Sequence, residues 1–368
     1  MKTLFTNCTC EGARRDIAIK NGRIADLSTG DDVKVIDLHG LRLYPGLVDI
    51  HTHGCVGADT MDADADALGK MSTFLLEHGT TSWLPTTMTE SIESIRAAVL
   101  TPLPEDGAEI LGFHAEGPYI NPTKKGAQNE AYIKSPEMSD FCGLFGEKGI
   151  KMITLAPETD GSMKYIKDCP AVISVGHTDA DYECTTEACL AGAKCLTHTF
   201  NAMPPILHRA PGPIGAAIDN DMYAQVICDG LHIQKSVIKM LYRTFGKERM
   251  VLISDSMRAT GLCDGEYMFG GQPIMVKDGV ARVVSDGALA GSTSTLFDCV
   301  KKAIEFGIPE IDAFYMATRT PCALMGFESK GRLDIGADAD IIGIDDNLNI
   351  ALTIKGGQIA NTCRMPTT

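Results

Sequence analysis

The sequence contains no apolar run near the roughly eighteen residues that a membrane-spanning helix requires. Its opening, Met1-Lys2-Thr3-Leu4-Phe5-Thr6-Asn7, turns polar too early for a secretory signal, so a cytoplasmic location is expected. Positive charge is also short: 33 Lys and Arg stand against 48 Asp and Glu, a formal net charge of -15. Nucleic acid and anionic membrane both need a cationic surface to displace counterions, so neither is expected as a partner. A small anionic substrate stays open, provided that a local cationic pocket receives it. Paired cysteine spacing is missing as well. The 13 cysteines are odd in number and scattered, which fits reduced thiols better than a disulfide framework; Cys8 and Cys10 read as strand residues.

What is present is ample core material. Hydrophobic residues make up 44% of the chain, with a mean hydropathy of +0.01, and no bias suggests disorder. The 368 residues exceed the roughly 250 of a typical (β/α)8 barrel. The surplus suits a second, smaller structure.

Both chain ends read as β-rich. Asp16 to Lys20, an Asn21-Gly22 turn and Arg23 to Leu27 form a hairpin pattern, and near the other end Ala339 to Ile344 and Ala351 to Ile359 are strand-like. Between Pro45 and about Phe327, apolar runs alternate with helical stretches, the pattern of βα units. Strands are expected at 47–51, 80–85, 109–116, 150–156, 171–177, 194–198, 223–229 and 250–255, and eight closes a barrel. Helices are expected at 91–100, 180–191, 234–245, 295–306 and 311–318. The fold class is therefore α/β: a TIM-like (β/α)8 barrel over 46–327, with a β-hairpin excursion at about 265–285 and a small β-sandwich from 1–45 and 328–368.

Six side chains that can bind metal fall at the ends of these strands. His51 and His53 are two apart on one strand, so they share a face. An H-x-H pair alone fits two packed histidines more readily than a ligand pair, but this one follows Pro45-Gly46-Leu47-Val48-Asp49 and precedes Gly54. Glu116 ends the third strand, where a carboxylate facing the interior is costly unless something positive meets it. His114 points the same way and reads as a core histidine. His177 and His198 close apolar strands and complete a two-His, one-carboxylate set suited to zinc or iron. Asp255 ends the eighth strand, where a carboxylate beside a divalent ion can take a proton from water and return it to a leaving group; a helix N-cap is its plain alternative. His39, His78 and His208 have no such placement.

These segments carry a resemblance. Pro45-Gly46-Leu47-Val48-Asp49-Ile50-His51-Thr52-His53-Gly54, His114-Ala115-Glu116-Gly117-Pro118, Gly176-His177-Thr178, Thr197-His198-Thr199-Phe200-Asn201-Ala202-Met203-Pro204, Asp229-Gly230-Leu231-His232, Ser254-Asp255-Ser256-Met257-Arg258-Ala259-Thr260-Gly261 and Leu289-Ala290-Gly291-Ser292 resemble, in order, the N-acetylglucosamine-6-phosphate deacetylase family of the amidohydrolase superfamily. The resemblance spans nearly the whole chain. It implies a metal-dependent barrel with a β-sandwich, Glu116, His177 and His198 on one ion, and Asp255 as general base and acid. His51 and His53 match the branch that can hold a second ion, with Glu116 bridging; members with Gln and Asn there look restricted to one. One or two divalent ions per subunit, zinc or iron, are thus expected.

The resemblance also implies a phosphorylated amino sugar as the small-molecule partner. Asn201, the Ala202 backbone, His232 and Arg209 match sugar-phosphate contacts, and the family's arginine reaches over from a neighbouring subunit, which implies a homodimer. A forked guanidinium suits phosphate. Ala127 and Gln128 fall at the substrate site, Gln128 where some members carry a histidine; Gln can donate a hydrogen bond but takes up no charge, which confines it to positioning. Three other readings stay open: the galactosamine epimer as substrate, a different amidohydrolase of dihydroorotase or allantoinase type, and a non-catalytic barrel that senses sugar phosphates. The second usually bridges its metals with a modified lysine, where this chain offers Glu116.

Overall fold

Strands covered on both faces need continuous apolar runs, and Met250-Val251-Leu252-Ile253 is such a run, with all four side chains fully buried. The computed structural model describes residues 2–27 and 33–361. Eight parallel strands follow one another in chain order: β1 (Leu47–Thr52), β2 (Thr80–Thr87), β3 (Phe113–Glu116), β4 (Ile150–Leu155), β5 (Val172–Val175), β6 (Cys195–Leu196), β7 (Tyr223–Ile227) and β8 (Met250–Ile253). The seam between β8 and β1 is joined by the Asp255 N–H donating to the His51 carbonyl at 2.9 Å and the His53 N–H donating to the Ser256 carbonyl at 2.8 Å. The expected TIM-like barrel is present.

Helices cover the outside: α1 (Ala65–Glu77), α2 (Ile92–Val99), α3 (Ser162–Asp168), α4 (Tyr182–Ala191), α5 (Gly212–Asp219), α6 (Lys235–Arg249), α7 (Leu296–Glu305), α8 (Glu310–Met316) and α9 (Arg319–Met325). The β3 to β4 crossover contains no α-helix, only 3-10 turns at Pro122–Lys124 and Glu130–Tyr132. That irregular stretch is free to fold over the barrel mouth. After β8, a three-stranded antiparallel sheet (Gly265–Phe269, Gln272–Lys277, Val280–Val283) packs Phe269, Ile274 and Val276 against Met88 and Ala127, forming a second wall of the mouth.

The chain ends build two further sheets. Four strands lie in the order Arg23–Ala25, Ile17–Lys20, Lys2–Thr6, Val33–Asp37, and six in the order Gln358–Asn361, Ile350–Lys355, Ile341–Ile344, Arg42–Pro45, Thr9–Cys10, Ala13–Arg14. Phe5, Ile17, Ile19, Leu43, Ile341 and Leu352 fill the layer between them. This is the expected sandwich. A buried ion cluster ties it to the barrel: Lys330 lies 2.7 Å from both Glu109 and Asp340, and Lys355 lies 3.2 Å from Glu109.

Several boundaries differ from expectation. The 109–116 segment is two strands, because Gly112 turns to φ +140; a Cβ there would meet Lys151 Cγ at 2.4 Å and the Gly149 carbonyl at 2.7 Å. Cys10 is a strand residue, whereas Cys8 lies in the link just before. The excursion has three strands where one hairpin was expected. All cysteines among the described residues are free thiols, and no helix there is long and apolar enough to cross a membrane.

Candidate metal centre at the barrel mouth

The cluster forms because strand ends bring together side chains far apart in sequence. His51 lies on β1, His53 just beyond it, and Glu116 is the last residue of β3. His177, His198 and Asp255 fall two residues past the ends of β5, β6 and β8, not within the strands, and adopt left-handed backbone at φ 48, 26 and 48. For non-glycine residues this conformation costs about 1–3 kcal/mol each and is held only by a surrounding structure that over-determines it. Here the turn swings each side chain from the sheet plane over the barrel axis.

Two ligand sets result, one of His51, His53 and Asp255 and one of Glu116, His177 and His198, each with its donor atoms within 4.8 Å of one another and all residues buried. Glu116 touches both: Oε1 lies 3.3 Å from His51 Nε2, 3.3 Å from His177 Nε2 and 3.1 Å from His198 Nε2, while Oε2 lies 3.3 Å from His53 Nε2. Asp255 Oδ1 lies 3.5 Å from His51 Nε2 and 3.3 Å from His53 Nε2.

The tautomers decide whether this cluster suits cations. His177 Nδ1 is 2.8 Å from the Lys124 carbonyl, His53 Nδ1 3.2 Å from the Thr86 carbonyl, and His51 Nδ1 2.9 Å from Gln225 Oε1. Each partner only accepts, so each Nδ1 is the donor and each neutral ring turns an Nε2 lone pair inward. His177 and His198 bring their Nε2 atoms to 3.1 Å, and His51 and His53 to 3.3 Å; His198 Nδ1 is buried without a partner. With the rings neutral, Nε2 lone pairs and two buried carboxylates face one another and the cage lacks positive charge, a need that either protons on the Nε2 atoms or divalent cations can fill.

The electrostatics agree. Burial by itself would raise the Glu116 carboxyl, but the charges of His51 and His177 and hydrogen bonds from His177 and His198 hold it well below the usual range. Burial opposes a charged His53, yet hydrogen bonds with Asp255 and Glu116 push it up to about 10. Cations binding here compete with those protons. His114 sits beneath the cage, between the Ile50 carbonyl and Thr154 Oγ1, as the expected core histidine.

The cage opens into a cavity of about 360 Å³ whose wall includes Ala127, Gln128, Asn201, Ala202, His232 and Phe269. His232 Nδ1 is 2.7 Å from Asp229 Oδ2, which leaves Nε2 for the cavity. Burial lowers the His232 pKa, but the Asp229 hydrogen bond and charge outweigh it and raise the value. Asn201 Nδ2 donates to the His198 carbonyl at 3.1 Å, so Oδ1 is its freer atom. Arg209 is not part of this wall: it is exposed on the loop after Pro204, bordering a separate depression with Asp179 and Tyr182. Sequence reasoning passed over Gln225 and Phe269, and it gave Asp229 no role although Asp229 opens the segment that ends in His232. A lone Gln inside the apolar Tyr223–Ile227 strand was a usable signal; nothing local marked Phe269, whose ring meets His53 edge-on at 5.2 Å.

A parallel barrel with this cage at the C-terminal ends of its strands defines a class, the metal-assisted barrel hydrolases. The amidohydrolase family model matches residues 42–360, and the chain belongs to that family. It is 39% identical over 334 residues to N-acetylglucosamine-6-phosphate deacetylase of Bacillus subtilis (strain 168), covering 86% of this chain and 84% of the relative. The solved N-acetylglucosamine-6-phosphate deacetylase of Pasteurella multocida superposes with a TM-score of 0.91 at 30% identity, covering 98% of this chain and 99% of that one. A mutant of the Mycobacterium smegmatis enzyme, solved in complex with N-acetyl-D-glucosamine-6-phosphate, gives 0.88 at 29% identity, covering 98% of both chains.

Proposed function

We propose that this protein hydrolyses the acetamido group of N-acetyl-D-glucosamine 6-phosphate, giving D-glucosamine 6-phosphate and acetate. The observation that carries this reading is the pair of ligand sets sharing Glu116, with Asp255 buried at their edge. The relatives named above supply the substrate class. Glu116, His177 and His198 would hold one divalent ion, and His51, His53 and Asp255 would hold a second, with Glu116 within reach of both sets. Four imidazoles and two carboxylates suit zinc or ferrous iron. When bound, such an ion lowers the pKa of water and polarises a carbonyl.

This chain's own groups do the rest. Asp255 accepts the proton of the attacking water and passes it to the amide nitrogen as the C–N bond breaks, so the amine leaves neutral. His232, held by Asp229 and biased towards its charged form, presents Nε2–H to the anionic end of the sugar, beside Asn201 and the Ala202 backbone. Ala127 and Gln128 line the same cavity. Arg209, exposed and outside its own cavity, reaches the phosphate in a partner's site, which makes the working unit a homodimer. Free thiols at all described cysteines support a reducing compartment, the cytoplasm, as the place of action.

Metal analysis before chelation, followed by acetate-release assays on the glucosamine and galactosamine 6-phosphate epimers, tests the reading. Bound metal and faster turnover of the glucosamine epimer are expected. Preference for the galactosamine epimer overturns the substrate assignment, and absence of turnover on both leaves a sugar-phosphate sensor.

A further inference from the structure

One short loop touches both a metal-ligand imidazole and the shared carboxylate. After β3 the chain runs Lys124-Lys125-Gly126-Ala127-Gln128. The Lys124 carbonyl accepts from His177 Nδ1 at 2.8 Å, and Gln128 Nε2 donates to Glu116 Oε2 at 2.5 Å. Gly126 supplies the left-handed backbone of this turn, with φ +54, beside His177. Gln128 is 2% exposed. Its amide cannot be reversed, because Oε1 accepts from the Thr89 N–H at 2.6 Å and a backbone N–H only donates. The second Nε2 hydrogen faces Met88 Sδ at 3.8 Å. Both ends of the amide are therefore committed to protein atoms. From the far side Gln272 Nε2 holds the Ala127 carbonyl at 2.8 Å.

We infer that Gln128 is a positioning residue for the metal centre, fixing Glu116 Oε2 so that one carboxylate serves both ligand sets. Oε2 is the oxygen that faces His53, whereas Oε1 faces His177 and His198. Without the Gln128 N–H, no donor among the described residues fixes the Oε2 end, and the side chain can tilt so that Oε2 leaves His53 while Oε1 stays within reach of His177 and His198. The loss then falls on the His51, His53 and Asp255 set.

This inference rests on the proposed metal centre, and metal readouts test it without reference to turnover. Holoprotein carrying Gln128→Met, checked for fold by circular dichroism, is compared with wild type for metal content, rate of release to a coloured chelator, and the visible spectrum after cobalt loading. Loss of an outer contact of this kind costs about 10- to 100-fold in metal affinity, and that loss is expected in the second equivalent of metal, with a shifted cobalt band. Gln128→Glu, which keeps the Thr89 contact but removes the N–H, serves if the Met variant does not fold, and should also shift the band. Unchanged content, release and cobalt spectrum in a folded variant overturn the role of Gln128 alone. A wild-type protein that takes up no metal overturns the metal centre itself.

Discussion

The backbone N–H of Asp255 donates to the carbonyl of His51 at 2.9 Å, and this bond both joins the last barrel strand to the first and sets a carboxylate beside two imidazoles. Barrel closure and the ligand cage share this residue pair. A residue so placed keeps its position when its chemistry is changed, and Asp255→Asn preserves size and backbone while removing the proton acceptor. Turnover should fall by about 10²–10⁴, with the metal on Glu116, His177 and His198 retained. Steady-state kinetics beside metal analysis checks this; near-normal turnover removes Asp255 from the reaction.

Arg209→Ala should raise KM for the phosphorylated sugar about tenfold and leave kcat and the melting temperature nearly unchanged, since the side chain is exposed. The unphosphorylated sugar serves as control, and equal damage to both refutes the phosphate role. Mixing Arg209→Ala with Asp255→Asn subunits should restore one working site per mixed dimer if the guanidinium acts across subunits.

The ion cluster between barrel and sandwich should show in the acid limb of stability. Burial raises the Glu109 carboxyl, but Lys330 by hydrogen bond and charge, with Lys355 and Lys148, brings it down to about 2 from an ordinary 4.5. A carboxyl depressed in the folded state contributes stability above its unfolded value and loses it as pH falls towards the folded value. Denaturant midpoints should therefore decline as pH drops from about 4.5 towards 2, and Glu109→Gln should flatten that decline. A slope unchanged by the substitution discards the cluster as its source.

At neutral pH, Lys330→Met should cost about 2 kcal/mol, because the buried Asp340 carboxylate, 4% exposed, loses its 2.7 Å partner and keeps only Lys355 at 3.4 Å and the Gly356 N–H. Lys148→Met, on the exposed edge of the same cluster, should cost less than about 1 kcal/mol. Urea unfolding compares the two, and equal losses would contradict the buried pairing.

Periodicity made the barrel legible, because a strand covered on both faces must be apolar throughout and a polar residue at its end stands out; Glu116 was found that way. It was less able to find helices that are short or rich in small residues, such as Gly212–Asp219. The longest helix passed over, Ala65–Glu77, did carry signals, an Asp64 cap and buried positions at Ala67, Leu68, Met71 and Leu75. Strand ends were read too long at His177, His198 and Asp255, since the left-handed turn that aims each side chain inward is set by neighbouring strands and leaves no mark in hydropathy.

The sequence by itself determined which donor atoms are available, at which strand ends they stand, and that an acidic chain must build any cationic site locally. These are consequences of residue type and of alternation along each strand. Only the tertiary structure decided that Glu116 faces both ligand sets, that Gln128 holds its oxygen, and that Arg209 lies outside its own cavity. Tautomers, shared carboxylates and second contacts depend on distances of about 3 Å between residues far apart in the chain, and such distances exist only once the barrel has closed.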